Sequence, residues 1–220
     1  MSPNMSRVTA YAFSFRRLDG KGEIRLADYS GKPILVVNTA SHCGYTPQFT
    51  GLQQLHARFR ERGLMVIGVP SNDFEQEPGD DAEIAAIAHD YYGVTFPLAA
   101  KTVIKGASRH PFYKWIATER PLDLPGWNFH KYLIGADGHI AKVFPSQIEP
   151  LDARVSSMPW PRPCPQRARR RVGLGKPQAG SGWTGPEAAE FVPILWIGNQ
   201  PPLFCIKSTT ARPGGNNSGQ

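Results

Sequence analysis

Residues 34 to 37 read Ile-Leu-Val-Val, an unbroken apolar and mostly β-branched run, and six residues further on, past a short polar stretch, stands Cys43. A strand with no polar alternation needs cover on both faces, which is the situation of a parallel strand inside a layered α/β fold. Past Cys43 the period changes. Phe49, Leu52, Leu55, Ala57 and Phe59 recur at steps close to those of a helix, with Gln, Arg and Glu between them and Gly63 as a stop. Leu64 to Val69 is a second apolar run, ended by Pro70. Strand, helix and strand within about 40 residues make a βαβ unit, with a right-handed crossover expected.

The remaining elements hang on that unit. An Asp19-Gly20 step between Tyr11–Phe15 and Glu23–Leu26 predicts an N-terminal hairpin. Asp80 and Asp81 open a helical pattern through Ile84, Ile87 and Ala88 that Gly93 closes, Phe96 to Ala99 is a short strand candidate, and Pro111 sits early in a helix over His110 to Glu119. After a proline-containing loop, 121 to 128, come Phe129–Ile134 and His139–Phe144 around Gly-Ala-Asp-Gly, a second hairpin. A βαβ unit with a terminal antiparallel hairpin gives a thioredoxin-like three-layer α/β/α sandwich.

Charge divides the chain. The formal net charge of +7 suggests nucleic acid until its distribution is examined. Residues 1–154 carry 17 Lys+Arg against 16 Asp+Glu, while 155–220 carry 8 against 2. The front domain, 1–154, is therefore nearly neutral, and no nucleic-acid partner is expected of it. Residues 155–220 hold ten of the 21 prolines and the run Arg167-Ala168-Arg169-Arg170-Arg171, with no sustained period; they are expected to form an irregular, disordered tail. A shifted reading frame is one explanation of that change, and it would remove the helix that closes such a fold. No apolar run approaches a membrane span or a signal peptide. Three cysteines, of which only Cys43 is in the front domain, make no disulfide framework and suit a reducing, cytoplasmic setting.

Cys43 lies past a strand and before a helix, where backbone N–H groups and the helix dipole favour a thiolate. Ser41, His42, Gly44 and Thr46 around it are small or polar, the composition of an exposed turn rather than of core. Position 46 is threonine, so the Cys-x-x-Cys spacing of a dithiol oxidoreductase is missing.

These residues and four further blocks resemble the glutathione peroxidase family: LVVNTASHCGYTPQFTGLQQL at 35–55, VPSNDFEQEPG at 69–79, HPFYKWI at 110–116, WNFHKYLIGADGHI at 127–140 and FPSQIEP at 144–150. The resemblance implies that Cys43 is the peroxidatic residue, with Trp127 and Asn128 around its sulfur. In that chemistry the thiolate attacks a peroxide oxygen and becomes a sulfenic acid, while an indole N–H and an amide NH₂ donate to the moving charge. Two departures stand out. The family's NQF reads Asn72-Asp73-Phe74 here, so an acid replaces the glutamine of the catalytic group. An ionised aspartate cannot donate to a thiolate, so Asp73 must be protonated, turned away, bridged by water, or replaced by Asn72 or Gln76; it is expected to keep a catalytic-site role beside Cys43 with an altered pH dependence. Secondly, thioredoxin-dependent members carry a resolving cysteine in the helix over 82–92, where this chain has His89 at about that place and no cysteine.

The resemblance therefore implies a one-cysteine peroxidase acting on hydrogen peroxide or organic hydroperoxides, with no cofactor or metal. Glutathione is the first candidate for the thiol co-substrate and thioredoxin the alternative. A peroxide-sensing or binding module with little turnover is a second reading. The residues specify no oligomeric state.

Overall fold

The computed structural model describes residues 8–158 and Trp160. The expected tail, with Cys164, Cys205 and the arginine run, lies outside the described residues.

The N-terminal hairpin pairs β1 (Ser14–Arg16) with β2 (Glu23–Arg25) antiparallel. The main sheet has four strands in the order β4-β3-β5-β6, with β3 at Ile34–Thr39, β4 at Met65–Pro70, β5 at Lys131–Ile134 and β6 at Ile140–Phe144. Strands β3 and β4 run parallel, as the apolar runs require, and β5 and β6 add an antiparallel hairpin on the other side. Among the described residues the α-helices are α1 (Gln48–Phe59), α2 (Asp81–Ala85, continuing as a π-helical stretch to Tyr91), α3 (Pro111–Glu119) and α4 (Ala153–Ser156).

Strand alternation assigns the layers. Leu35, Val37, Val66 and Leu133 pack with Phe49, Leu52, Leu55 and Phe59 of α1 and Ile84 of α2. Their neighbours Ile34, Val36, Ile67, Tyr132 and Ile134 pack with Phe112, Tyr113 and Ile116 of α3 and with Phe15 and Ile24 of the hairpin. This is the thioredoxin-like three-layer sandwich expected from the sequence, with a core on each face of the sheet.

Local signals explain the element ends. Gly63 takes φ +94, the left-handed conformation that lets the chain leave α1 and turn into β4. Asp80 caps α2 by accepting from the N–H groups of Ala82 and Glu83, and His110 Nδ1 accepts from Phe112 N–H ahead of Pro111.

Three elements differ from the sequence reading. The first strand of the N-terminal hairpin starts at Ser14 rather than Tyr11, because Ala10–Ala12 form a 3-10 turn closed by Phe13 N–H on Ala10 O. Residues 96–99 form only isolated bridges, Gly68 with Leu98 and Arg17 with Ala99, since Pro97 has no N–H to extend a ladder. A closing helix is present: Asp152 caps α4, Val155 is fully buried, and Trp160 packs on Phe59 with ring centroids 5.6 Å apart. The packed core thus runs past Arg154 to Trp160.

Candidate active site

Cys43 sits on a tight turn at the carboxyl end of β3. Its carbonyl accepts from Thr46 N–H at 2.9 Å, and its own N–H donates to Thr46 Oγ1 at 3.0 Å. Thr46 Oγ1 in turn donates to Ala40 O at 2.9 Å. The position where a dithiol enzyme would carry its second cysteine therefore ties the turn together. Against the exposed turn expected from its polar neighbours, Cys43 itself is buried, 7% exposed in the apolar cluster that holds Phe49 and Phe129, and its sulfur accepts from Tyr45 N–H at 3.4 Å. A thiolate here has a backbone donor aimed at it and a narrow opening to solvent.

Gln76 links this turn to the distant Trp127-Asn128 pair. Its carbonyl accepts from His42 N–H at 3.1 Å, and its side-chain Oε1 accepts from Asn128 Nδ2 at 3.4 Å. Asn128 is fully buried, and its Oδ1 has no hydrogen-bond partner among the described residues. Trp127 lies against Phe74 with centroids 5.3 Å apart and is 40% exposed. Two of the expected donors, Trp127 and Asn128, thus reach the segment next to Cys43 through residues 74 and 76.

The Asp73 carboxylate is engaged elsewhere. Its Oδ2 accepts from Ile104 N–H at 2.5 Å and Lys105 N–H at 2.8 Å, while Lys105 Nζ lies over the Phe74 ring at 4.4 Å. Of the alternatives raised by the sequence, the neighbour Gln76 is the amide that touches Asn128. Asn72 instead uses its Oδ1 to accept from Glu77 N–H at 2.9 Å. Glu77 is a buried carboxylate that the sequence did not flag. It accepts from Ser41 Oγ at 3.0 Å, and burial pushes its carboxyl above the usual range.

The chain belongs to the glutathione peroxidase family. That family's model matches residues 10–117, and the hydroperoxy fatty acid reductase gpx1 of Synechocystis is 42% identical over 152 residues, 64% of this chain and 89% of the relative. A glutathione peroxidase of Lactococcus lactis is 40% identical over 144 residues, 64% of this chain and 91% of its own length. Among solved structures, Trgpx in its apo form is 32% identical with a TM-score of 0.55, covering 69% of this chain and 95% of that one.

In this member of the glutathione peroxidase family, Cys43 is the only cysteine among the described residues. His89, near the place of a resolving cysteine, lies in the π-helical stretch with Nδ1 2.7 Å from Val94 O. Beside Trp127 is a cleft of about 400 Å³ lined by Leu122, Leu124, His130, Val143 and Gln147 among others. A larger cleft of about 650 Å³ lies between the N-terminal hairpin and the start of α3 and contains none of the four expected site residues. No helix among the described residues is long and apolar enough to cross a membrane.

Proposed function

We propose that the chain is a one-cysteine peroxidase in which the Cys43 thiolate reduces a hydroperoxide and an external thiol, glutathione first among candidates, restores it. The single observation that carries this reading is the Gln76 bridge, which joins the Cys43 turn to Asn128.

The Cys43 sulfur attacks the terminal peroxide oxygen, the S–O bond forms as the O–O bond breaks, and the alkoxide or hydroxide leaves with a proton as alcohol or water. The Trp127 indole N–H and the second N–H of Asn128 donate to the charge as it moves from sulfur to the departing oxygen. Gln76 takes over the amide role that Asp73 cannot fill, holding Asn128 with its Oε1 and leaving its own NH₂ to donate. A first thiol then attacks the sulfenic sulfur and expels water. A second thiol attacks the resulting mixed disulfide and frees Cys43. Two external thiols supply both electrons, and no cofactor or metal is needed.

The Synechocystis relative is named for reduction of hydroperoxy fatty acids. The cleft beside Trp127, with Leu122, Leu124 and Val143 in its lining, supports an organic hydroperoxide as substrate alongside hydrogen peroxide. A reducing cytoplasmic compartment supplies the thiol this cycle consumes. The test is peroxide consumption with glutathione and with thioredoxin, on the parent and on Cys43→Ser. Turnover with glutathione that Cys43→Ser abolishes is the expected result. Turnover with thioredoxin alone would replace the reductant. Fast Cys43 oxidation without recycling would favour the sensor reading.

A further inference from the structure

The pairing of β3 with β5 ends at Val37 opposite Lys131. One residue later Asn38, 1% exposed, takes over with four hydrogen bonds to the segment 127–130. Its N–H donates to His130 O at 3.3 Å and its carbonyl accepts from Phe129 N–H at 2.6 Å. Its side chain reads the same segment: Oδ1 accepts from His130 N–H at 3.1 Å, and Nδ2 donates to Trp127 O at 3.2 Å. An asparagine in a fully buried strand costs desolvation unless every polar atom is used, and here both side-chain atoms are.

The clamped segment is strained. Phe129 is fully buried and holds φ +63, a left-handed conformation that a bulky residue adopts only when its surroundings impose it. Asn38 holds its N–H. Its carbonyl is held by Lys131 Nζ at 2.7 Å. Lys131 is fully buried and also donates to Gln48 Oε1 at 2.8 Å, while Gln48 Nε2 donates to Ser146 O at 2.8 Å and lies 3.3 Å from Glu149 Oε1. Burial pushes the Lys131 ammonium down to about 7, and the two N–H groups of a neutral amine match its two acceptors.

The anchors come from the two elements that flank the reactive thiol. Asn38 stands five residues before Cys43 on β3, and Gln48 stands five residues after it as the first residue of α1. We infer that Asn38 and Lys131 are positioning residues for the peroxidase step, locking the strained Phe129 turn so that Trp127 and Asn128 stay in register with Cys43. Without the lock, Phe129 relaxes towards negative φ and the two donors rotate with it. This rests on the reading under Proposed function.

The test uses Asn38→Asp, which keeps the shape and loses the Nδ2 donor, and Lys131→Met, which keeps volume and loses both donated bonds. Two rates are measured on folded protein with native near-ultraviolet circular dichroism: Cys43 oxidation by hydrogen peroxide in stopped flow, and Cys43 alkylation by iodoacetamide. Alkylation needs the thiolate but not donors to a leaving oxygen, so it separates positioning from general loosening. The expected result is at least a tenfold loss in the oxidation rate with alkylation within twofold of parent. Equal losses in both rates, or no loss in either, would overturn the inference. If one variant does not fold, the other decides. Failure of the functional reading shows separately, as parent Cys43 oxidising no faster than free cysteine.

Discussion

Asp73 offers the sharpest quantitative expectation, because sequence and structure place it in different roles. Its carboxylate accepts the N–H groups of Ile104 and Lys105, and Ile104 is 1% exposed. In Asp73→Ala both donors lose their acceptor. A hydrogen bond to a charged group contributes about 1.5–3 kcal/mol. The Ile104 bond sits in part-buried surroundings while the Lys105 bond is exposed and solvent replaces it, so the sum is dominated by the first. The expected loss is about 2–3 kcal/mol for Asp73→Ala and about 1 kcal/mol for Asp73→Asn, which keeps a neutral acceptor. With a urea m-value of about 2 kcal/mol/M for a domain of this size, the alanine variant unfolds about 1 M earlier. The pH profile of Cys43 alkylation should superpose on the parent in Asp73→Gln, since the charge removed is committed to the 104–105 backbone. A profile displaced by half a pH unit or more, with the urea midpoint unmoved, would falsify this placement and return Asp73 to the thiolate.

Further expectations rest on other parts of the structure. Lys131 is held down to about 7 in the folded chain against an ordinary value near 10.5, so its burial penalty is absent above about pH 10.5 and fully present below pH 7. Stability attributable to this residue therefore rises with pH across that window, by up to about 1.4 kcal/mol per pH unit, and urea midpoints of Lys131→Met against parent should lose that slope. A Cβ at Gly68 in β4 would overlap Leu98 Cδ2 and force that buried side chain to move; Gly68→Ala should cost about 1–3 kcal/mol in thermal or urea unfolding. Trp160 is 4% exposed with its ring against Phe59, so Trp160→Ala should cost about 3–5 kcal/mol. Truncation at Arg154 removes Val155 as well and should lower the melting temperature by at least as much as Trp160→Ala; an unchanged melt would show that the α4 segment contributes nothing.

The fold was largely legible because its elements are locally consistent. The uninterrupted Ile34–Val37 run, the helical spacing from Phe49 to Phe59 with Gly63 behind it, and the Gly-Ala-Asp-Gly turn each specify their own conformation without distant help. Elements that depend on partners are less legible. Residues 96–99 look like a strand, yet Pro97 limits them to bridges with Gly68 and Arg17. The segment after Arg154 looks like the start of the proline-rich tail, yet Asp152 caps a helix and Trp160 finds the Phe59 ring.

The site divides in the same way. Sequence alone determined that Cys43 stands on a polar turn between an apolar strand and a helix, because strand, turn and helix signals are all within 20 residues of it. It also brought forward Trp127 and Asn128 and the acid at 73, through blocks of the glutathione peroxidase pattern. Only the tertiary structure decided which amide meets Asn128, and where the Asp73 charge goes. Gln76 and Asp73 are three residues apart in one loop, and nothing local says which of them faces the 104–105 backbone and which faces Asn128. Asn38 and Lys131 were visible only as polar interruptions in apolar strands, Asn in ILVVNT and Lys in HKYLI. Their meaning depends on a strained phenylalanine about 90 residues from one and two from the other, and hydrogen-bond partners at such separations are set by how β3 and β5 pair, not by either strand's own residues.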